Sequence, residues 1–192
     1  MTWLDDIEKD IDKIAKSVNM QLKIKQTMKS KLRIDKDIVY IPMKMVNESN
    51  ENKITAIKIL VVHELAHKIF CDSHRLRSLI EKGTDENDIR LISICMDTRA
   101  DAIANKLLKT ICGIHINIDD IIEFRRYANT HKSLLDSFYD GMVCGRYRAS
   151  LLNAGVFNMN TVKILMDMYE KMGIEFRDKD LILEQFDVLR LE

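Results

Sequence analysis

The stretch that decides the fold is Ile54-Thr-Ala-Ile-Lys-Ile-Leu-Val-Val-His-Glu-Leu-Ala-His-Lys-Ile-Phe70. Its apolar residues do not keep to one face. They surround the helix that the spacing predicts over 53–70, and a helix apolar nearly all round must be buried by its neighbours. Its most apolar part, Ile54–Val62, contains Thr55 and Lys58 and is far too short to span a bilayer. The chain is therefore expected to pack around one central helix. That helix carries His63, Glu64 and His67 in the pattern H-E-x-x-H.

Two histidines four apart project from one helical face and can share a zinc ion through their imidazole nitrogens. Glu64 is turned ~100° from His63, beside such an ion, where it can act as general base toward a water that the metal acidifies. The plain alternative is a helix with two ordinary histidines. Leu60, His63 and His67 share a stripe of a buried helix, however, and buried histidines need partners.

Zinc requires a third protein ligand. His74 follows His67 with no glycine between them to turn the chain, and Glu81 and Glu86 lie in a polar stretch where surface acids are ordinary. Asp97 is the better candidate. On a helix predicted over 88–110, Ile94, Asp97, Asp101, Ala104 and Leu108 fall on one stripe, so two carboxylates interrupt an apolar face. Buried acids are costly unless paired. Either they meet a base such as Arg90 or Arg99, or a metal accounts for both. In the second case Asp97 ligates, and Asp101, one turn on, accepts from the free ring N–H of a ligating histidine and sets its tautomer.

With these residues in place the chain resembles the ImmA/IrrE-type zinc metallopeptidases. The resemblance rests on the His-Glu-Leu-Ala-His helix and on Asp97-Thr-Arg-Ala-Asp-Ala-Ile-Ala-Asn-Lys-Leu-Leu108, which is similar to the family's E-x-E-A-D-x-F-A-x-x-L-L. A weaker third motif is Ser150-Leu-Leu-Asn-Ala-Gly-Val-Phe157, set against R-L-x-x-L-G-L-I. Asp97 stands where the family has Glu, and Arg99 where it has a second Glu. Positions 97 and 101 share a helical face and 99 does not, which favours 97 as ligand. The resemblance implies a zincin-like core, a zinc cofactor (Zn2+) and hydrolysis of a peptide bond in a protein substrate. It implies a transcriptional repressor as that substrate, in a mobile element or phage or in a stress response. It also implies a substrate held in extended form along a sheet edge. A reading from another class is a non-catalytic regulator that keeps the zincin fold as a binding module.

Outward from the motif, Trp3, Leu4, Ile7, Ile11, Ile14, Ala15 and Val18 predict an N-terminal helix over 3–18. Two β-rich runs, 31–34 and 38–43, around Asp35-Lys-Asp37 predict a hairpin. Pro42 cannot donate to a ladder, so the run Ile38–Met43 is expected at an edge, as the candidate substrate strand. Gly113 is expected to end the second site helix. Short helical patterns follow near 118–128, 131–140, 145–153, 159–172 and 179–188. The expected class is α+β, mainly helical, with a peptidase core over 1–116 and a helical region over 117–192 packed on it. Candidate oxyanion donors downstream are His131, Tyr147 and Arg148, each more readily read as a surface or packing residue; His115 has no distinguishing context. Two helical patterns around Ala154-Gly155 raise a helix-turn-helix over 145–172, but its basic residues are few and packing is the better reading.

Composition sets outer bounds. The 192 residues carry 30 Lys plus Arg and 30 Asp plus Glu, and a zero balance argues against coating nucleic acid or an anionic membrane. One Pro and 6 Gly favour long helices over an all-β sandwich. Met1-Thr-Trp-Leu-Asp-Asp-Ile-Glu8 has neither a basic nor an apolar leader region, so a cytoplasmic location is expected. Cys71, Cys95, Cys112 and Cys144 show no C-x-x-C spacing and are expected to be buried thiols.

Overall fold

The computed structural model describes residues 3–29, 32–43, 45, 51–116 and 157–187. Helix α1 is Trp3–Ser17, and Ile7, Ile11, Ile14 and Ala15 form its buried face. Asn19, in the left-handed conformation at φ 57°, turns the chain out of it, with Met20 N–H donating to the Ala15 carbonyl at 2.8 Å.

Three strands follow: β1 Lys23–Thr27, β2 Arg33–Asp35 and β3 Ile38–Pro42, in spatial order β1-β3-β2. β2 and β3 form the expected antiparallel hairpin, with Arg33 opposite Tyr40 and Asp35 opposite Ile38. β1 runs parallel to β3, with Lys23 opposite Ile38 and Thr27 opposite Pro42. This overturns the edge position expected for Ile38–Met43. β3 is the central strand, paired on both sides, and it buries Val39 and Ile41. Pro42 is tolerated because it is the strand's last residue, where the ladder stops. The strand that displaces it from the edge reads Lys-Ile-Lys-Gln-Thr and is mostly exposed, so it carries almost no apolar alternation to read.

Helix α2, Glu51–Ile69, is the central helix. From Ala56 to Val62 every residue is buried, Lys58 included. Phe70 and Cys71 reverse the chain, with Cys71 in the left-handed region at φ 55°, and α3 runs over Asp72–Glu81. Cys71 is exposed and Cys112 half-buried, so of the described cysteines Cys95 alone is the buried thiol expected. Helix α4, Glu86–Leu107, begins at Asp85, whose side chain accepts from Asn87 N–H at 2.9 Å. It continues as one wider π turn, Leu108–Cys112, and ends at Gly113 with φ 70°. Helix α5, Met159–Glu170, starts at an Asn158/Thr161 capping box, and α6 is Lys179–Asp187. The chain is thus mainly helical with one small sheet. No described helix is long and apolar enough to cross a membrane.

Among the described residues, two apolar cores share α4. The first joins α1, Val39 and Ile41 of the sheet, α2, and Ala104 and Leu108 at the end of α4. The second joins Leu79 of α3, the α4 residues Leu91, Ile92, Cys95 and Met96, and the inner faces of α5 and α6. The described part of the 117–192 region, α5 and α6, packs on α4. Asp97 and Asp101 fall between the α4 residues that serve the two cores. The patterns near 118–128, 131–140 and 145–153, with His131, Tyr147, Arg148, Cys144 and most of the third motif, lie outside the described residues.

Candidate metal centre

Helices α2 and α4 pack against one another and bring His63, His67 and Asp97 together. One ligand atom of each lies within 4.8 Å of the others. The two imidazole Nε2 atoms are 3.0 Å apart, and His67 Nε2 is 3.2 Å from Asp97 Oδ1. Two ligand bonds of ~2.0–2.1 Å meeting at a tetrahedral angle separate their ligand atoms by ~3.3 Å. Both separations are close to those between the ligand atoms of a tetrahedral ion, and two imidazoles and a carboxylate are a donor set that zinc accepts.

Each ring is held from behind. His63 Nδ1 is 2.8 Å from Asp101 Oδ1, and His67 Nδ1 is 2.7 Å from Asp72 Oδ2. A carboxylate at Nδ1 takes a ring N–H and leaves the Nε2 lone pair for the site, the usual support of a metal-ligating histidine. His63 and Asp101 are buried, whereas the side chain of Asp97 is 30% exposed, so the cluster opens to solvent on the Asp97 side. Glu64 is half-buried on the same helix and makes no hydrogen bond or ion pair among the described residues. His74, Glu81 and Glu86 are exposed and outside the cluster, as is His115.

The support of His67 was not readable in the sequence. Asp72 follows the motif by five residues, beyond the end of α2, and only the left-handed turn at Cys71 swings it back beneath the ring. Its second oxygen accepts from Arg99 Nη2 at 2.5 Å. Arg99, weighed from the sequence as a partner for Asp97 or Asp101, thus meets Asp72. It is 2% exposed and lies over the ring of Phe70 at 4.1 Å and that of Phe186 at 5.5 Å. Among the described residues its Nε and Nη1 have no hydrogen-bond partner, so the aromatic faces carry that part of the charge. The signal in the sequence was Arg99 itself, a charge on an interior turn of α4.

Electrostatics follow from this wiring. Burial pushes the His67 imidazolium toward deprotonation, but Asp72 and Asp97 outweigh it and raise its pKa to about 10. Burial likewise raises Asp72, and His67 and Arg99 overcome it to hold the carboxyl below its usual range. Burial lowers Arg99, against the pull of Asp72. Asp72, Asp97 and Asp101 thus bring three carboxylates to the two imidazoles, a surrounding that favours a divalent cation beside them.

Compared with known proteins, the chain matches no protein-family model, no curated protein and no solved structure.

Proposed function

We propose that this chain is a zinc-dependent metalloendopeptidase with a zincin-like core of the ImmA/IrrE type. The observation that carries the reading is the convergence of His63, His67 and Asp97 at 3.0 and 3.2 Å, with a carboxylate behind each ring. His63, His67 and Asp97 hold the ion; Asp101 and Asp72 hold the two rings in the ligating tautomer. Bound zinc supplies a Lewis acid that polarises a carbonyl and acidifies a water at neutral pH. Glu64, next to His63 and without a hydrogen bond or ion pair among the described residues, would serve at its carboxylate as the general base and then as the general acid.

The proposed substrate is a specific cytosolic protein, a repressor-like transcriptional regulator, by the family resemblance. The strand against α2 is β2, Arg33–Asp35, an edge of the sheet, and an extended target segment would add there. The zero net charge gives nucleic acid no electrostatic footing.

The test separates metal from chemistry. Purified protein should carry about one zinc per chain. Glu64→Gln should keep the zinc and the fold and lose hydrolysis of a co-expressed repressor by at least ~10²-fold. An active Glu64→Gln enzyme removes Glu64 from the mechanism. If zinc is bound, nothing is cut, and a partner binds equally well to Glu64→Gln, the chain is a zincin-fold binding module.

A further inference from the structure

Behind His67 the polar chain continues away from the metal site and ends on the C-terminal helix. Asp72 divides its two oxygens between His67 Nδ1, at 2.7 Å, and Arg99 Nη2. A carboxylate held at both oxygens cannot rotate, so the position of the guanidinium sets the direction of the His67 ring. The guanidinium has one hydrogen-bonded arm. Its Nε and Nη1 are buried without a hydrogen-bond partner among the described residues, and the rings of Phe70 and Phe186 lie against its plane. Phe70 lies just past the end of α2, beside the motif. Phe186 is 4% exposed and belongs to α6, more than a hundred residues further along the chain.

Helix α6 is itself fastened to α4. The buried carboxylate of Asp88, in the first turn of α4, accepts the backbone N–H groups of Arg177 and Asp178 at 2.9 and 3.0 Å. Asp178 in turn accepts from Leu181 N–H at 2.8 Å at the start of α6. Ile182 anchors the helix in the second core. So α6 is registered against α4 at its start, and four residues after Ile182 it delivers Phe186 to Arg99.

We infer that α6 sets the metal affinity of the site through Phe186, Arg99 and Asp72, which act as positioning residues for His67. The inference rests on the zinc reading above. It gives the C-terminal region a role at the site without any ligand from it. An interaction that lifts α6 from α4 would loosen His67 and release the metal. Arg99 also gains a reason to stand on the interior of α4, where its buried charge is otherwise a cost.

The experiment uses the full chain and Zn(II) itself, with affinity measured by competition against a chromophoric chelator and ligand geometry by the visible spectrum of the Co(II) form. Phe186→Leu keeps the apolar bulk and removes the ring face. Arg99→Lys keeps the charge and removes the planar fork. Both should weaken Zn(II) tenfold to a hundredfold, as loss of an outer hydrogen-bond partner does, and alter the Co(II) spectrum. Ile11→Ala, in the first core on α1 and away from α6, is the control for simple loss of stability: it should lower the melting temperature at least as much as Phe186→Leu and leave Zn(II) affinity within threefold. Should Phe186→Leu fail to fold, Arg99→Lys carries the test. Wild-type affinity in a folded Phe186→Leu or Arg99→Lys protein overturns the inference, as does an equal loss in Ile11→Ala. If the wild-type protein takes up no divalent metal, the zinc reading falls and takes this one with it. The first two outcomes are read on a wild-type protein that does bind zinc, so the two failures are distinct.

Discussion

Two buried ion networks lie along α2, and they differ in the groups they gather. Toward its middle Lys58 is buried, with Nζ 2.6 Å from Asp6 and 2.7 Å from Asp10; Asp10 also meets Lys13 at 3.3 Å. Two cations face two carboxylates, and Asp6 remains half in water. Burial pulls Lys58 down and Asp10 up, and mutual contact overcomes both, so each keeps its charge. Ammonium and carboxylate close that network, and it ties α1 to α2 inside the first core. Near the end of the helix, Asp101 and Asp72 each meet an imidazole Nδ1, and Asp72 also meets Arg99. The pairing is as close, but here atoms of His63, His67 and Asp97 that can ligate a metal lie within 4.8 Å of one another. Burial marks a charged group as expensive in both places. Only a cluster of such ligand atoms marks a place for a cation.

The sharpest way to break this contrast is to remove a ligand from one network and the central cation from the other. His67→Ala should lose stoichiometric zinc, whereas Lys58→Met should retain it in whatever fraction folds. Metal analysis of the two purified proteins decides. Equal zinc loss in both would mean that the site depends on global stability and not on its own ligands.

Next in size is the stability of the closed network. Lys58→Met leaves Asp10 buried beside one partly exposed lysine and should cost about 3–5 kcal/mol in urea unfolding, as breaking a buried pair does. The double variant Lys58→Met/Asp10→Leu should recover most of that loss, because an apolar pair of similar size replaces two desolvated charges. A double variant as unstable as the single would show that the ion pair contributes more than its desolvation costs.

Smaller again is the effect of neutralising an orienting carboxylate. Asp101→Asn should keep the fold and weaken zinc by about 10- to 100-fold, since the amide can turn an N–H toward His63 Nδ1 and favour the wrong tautomer. Unchanged affinity by chelator competition would remove Asp101 from the support of the site.

The most gradual effect is that of pH. His67 has its proton held to about pH 10 in the metal-free protein, above the ordinary 6.5, so metal must displace that proton at neutral pH. Apparent zinc affinity should rise about tenfold per pH unit between pH 7 and 9. The metal-free fold has the opposite trend. A group whose folded pKa is raised contributes stability in full below about 6.5, and that contribution fades as pH climbs toward about 10. Thermal melts of metal-free protein across that window should fall with pH, and melts of His67→Gln should be flatter. A flat wild-type profile would mean that Asp72 and Asp97 do not hold the proton.

Much of this could be read from residue types and spacing. The apolar surround of residues 54–62 required a buried central helix, and α2 is one. The stripe through Asp97 and Asp101 put two carboxylates on an apolar face of α4; Asp101 is 1% exposed, whereas Asp97, at 30%, sits where that face opens to solvent. A helix end was legible where one residue carries the signal, the left-handed Gly113. The sheet was half legible. Its hairpin alternates and reads easily, whereas β1 is an exposed polar edge without alternation, so its pairing, and with it the central place of β3, could not be seen.

Spacing along one helix is rigid, so the sequence by itself determined which residues share a face: His63 with His67, and Asp97 with Asp101. It determined the kind of chemistry those faces can hold. Only the tertiary structure decided which face meets which, that Asp72 comes back beneath His67, and that Arg99 lies over the rings of Phe70 and Phe186. Those contacts join residues separated by turns and by long stretches of chain. Their geometry follows from the reversal at Cys71 and from the second apolar core, which several elements make jointly and no single one encodes.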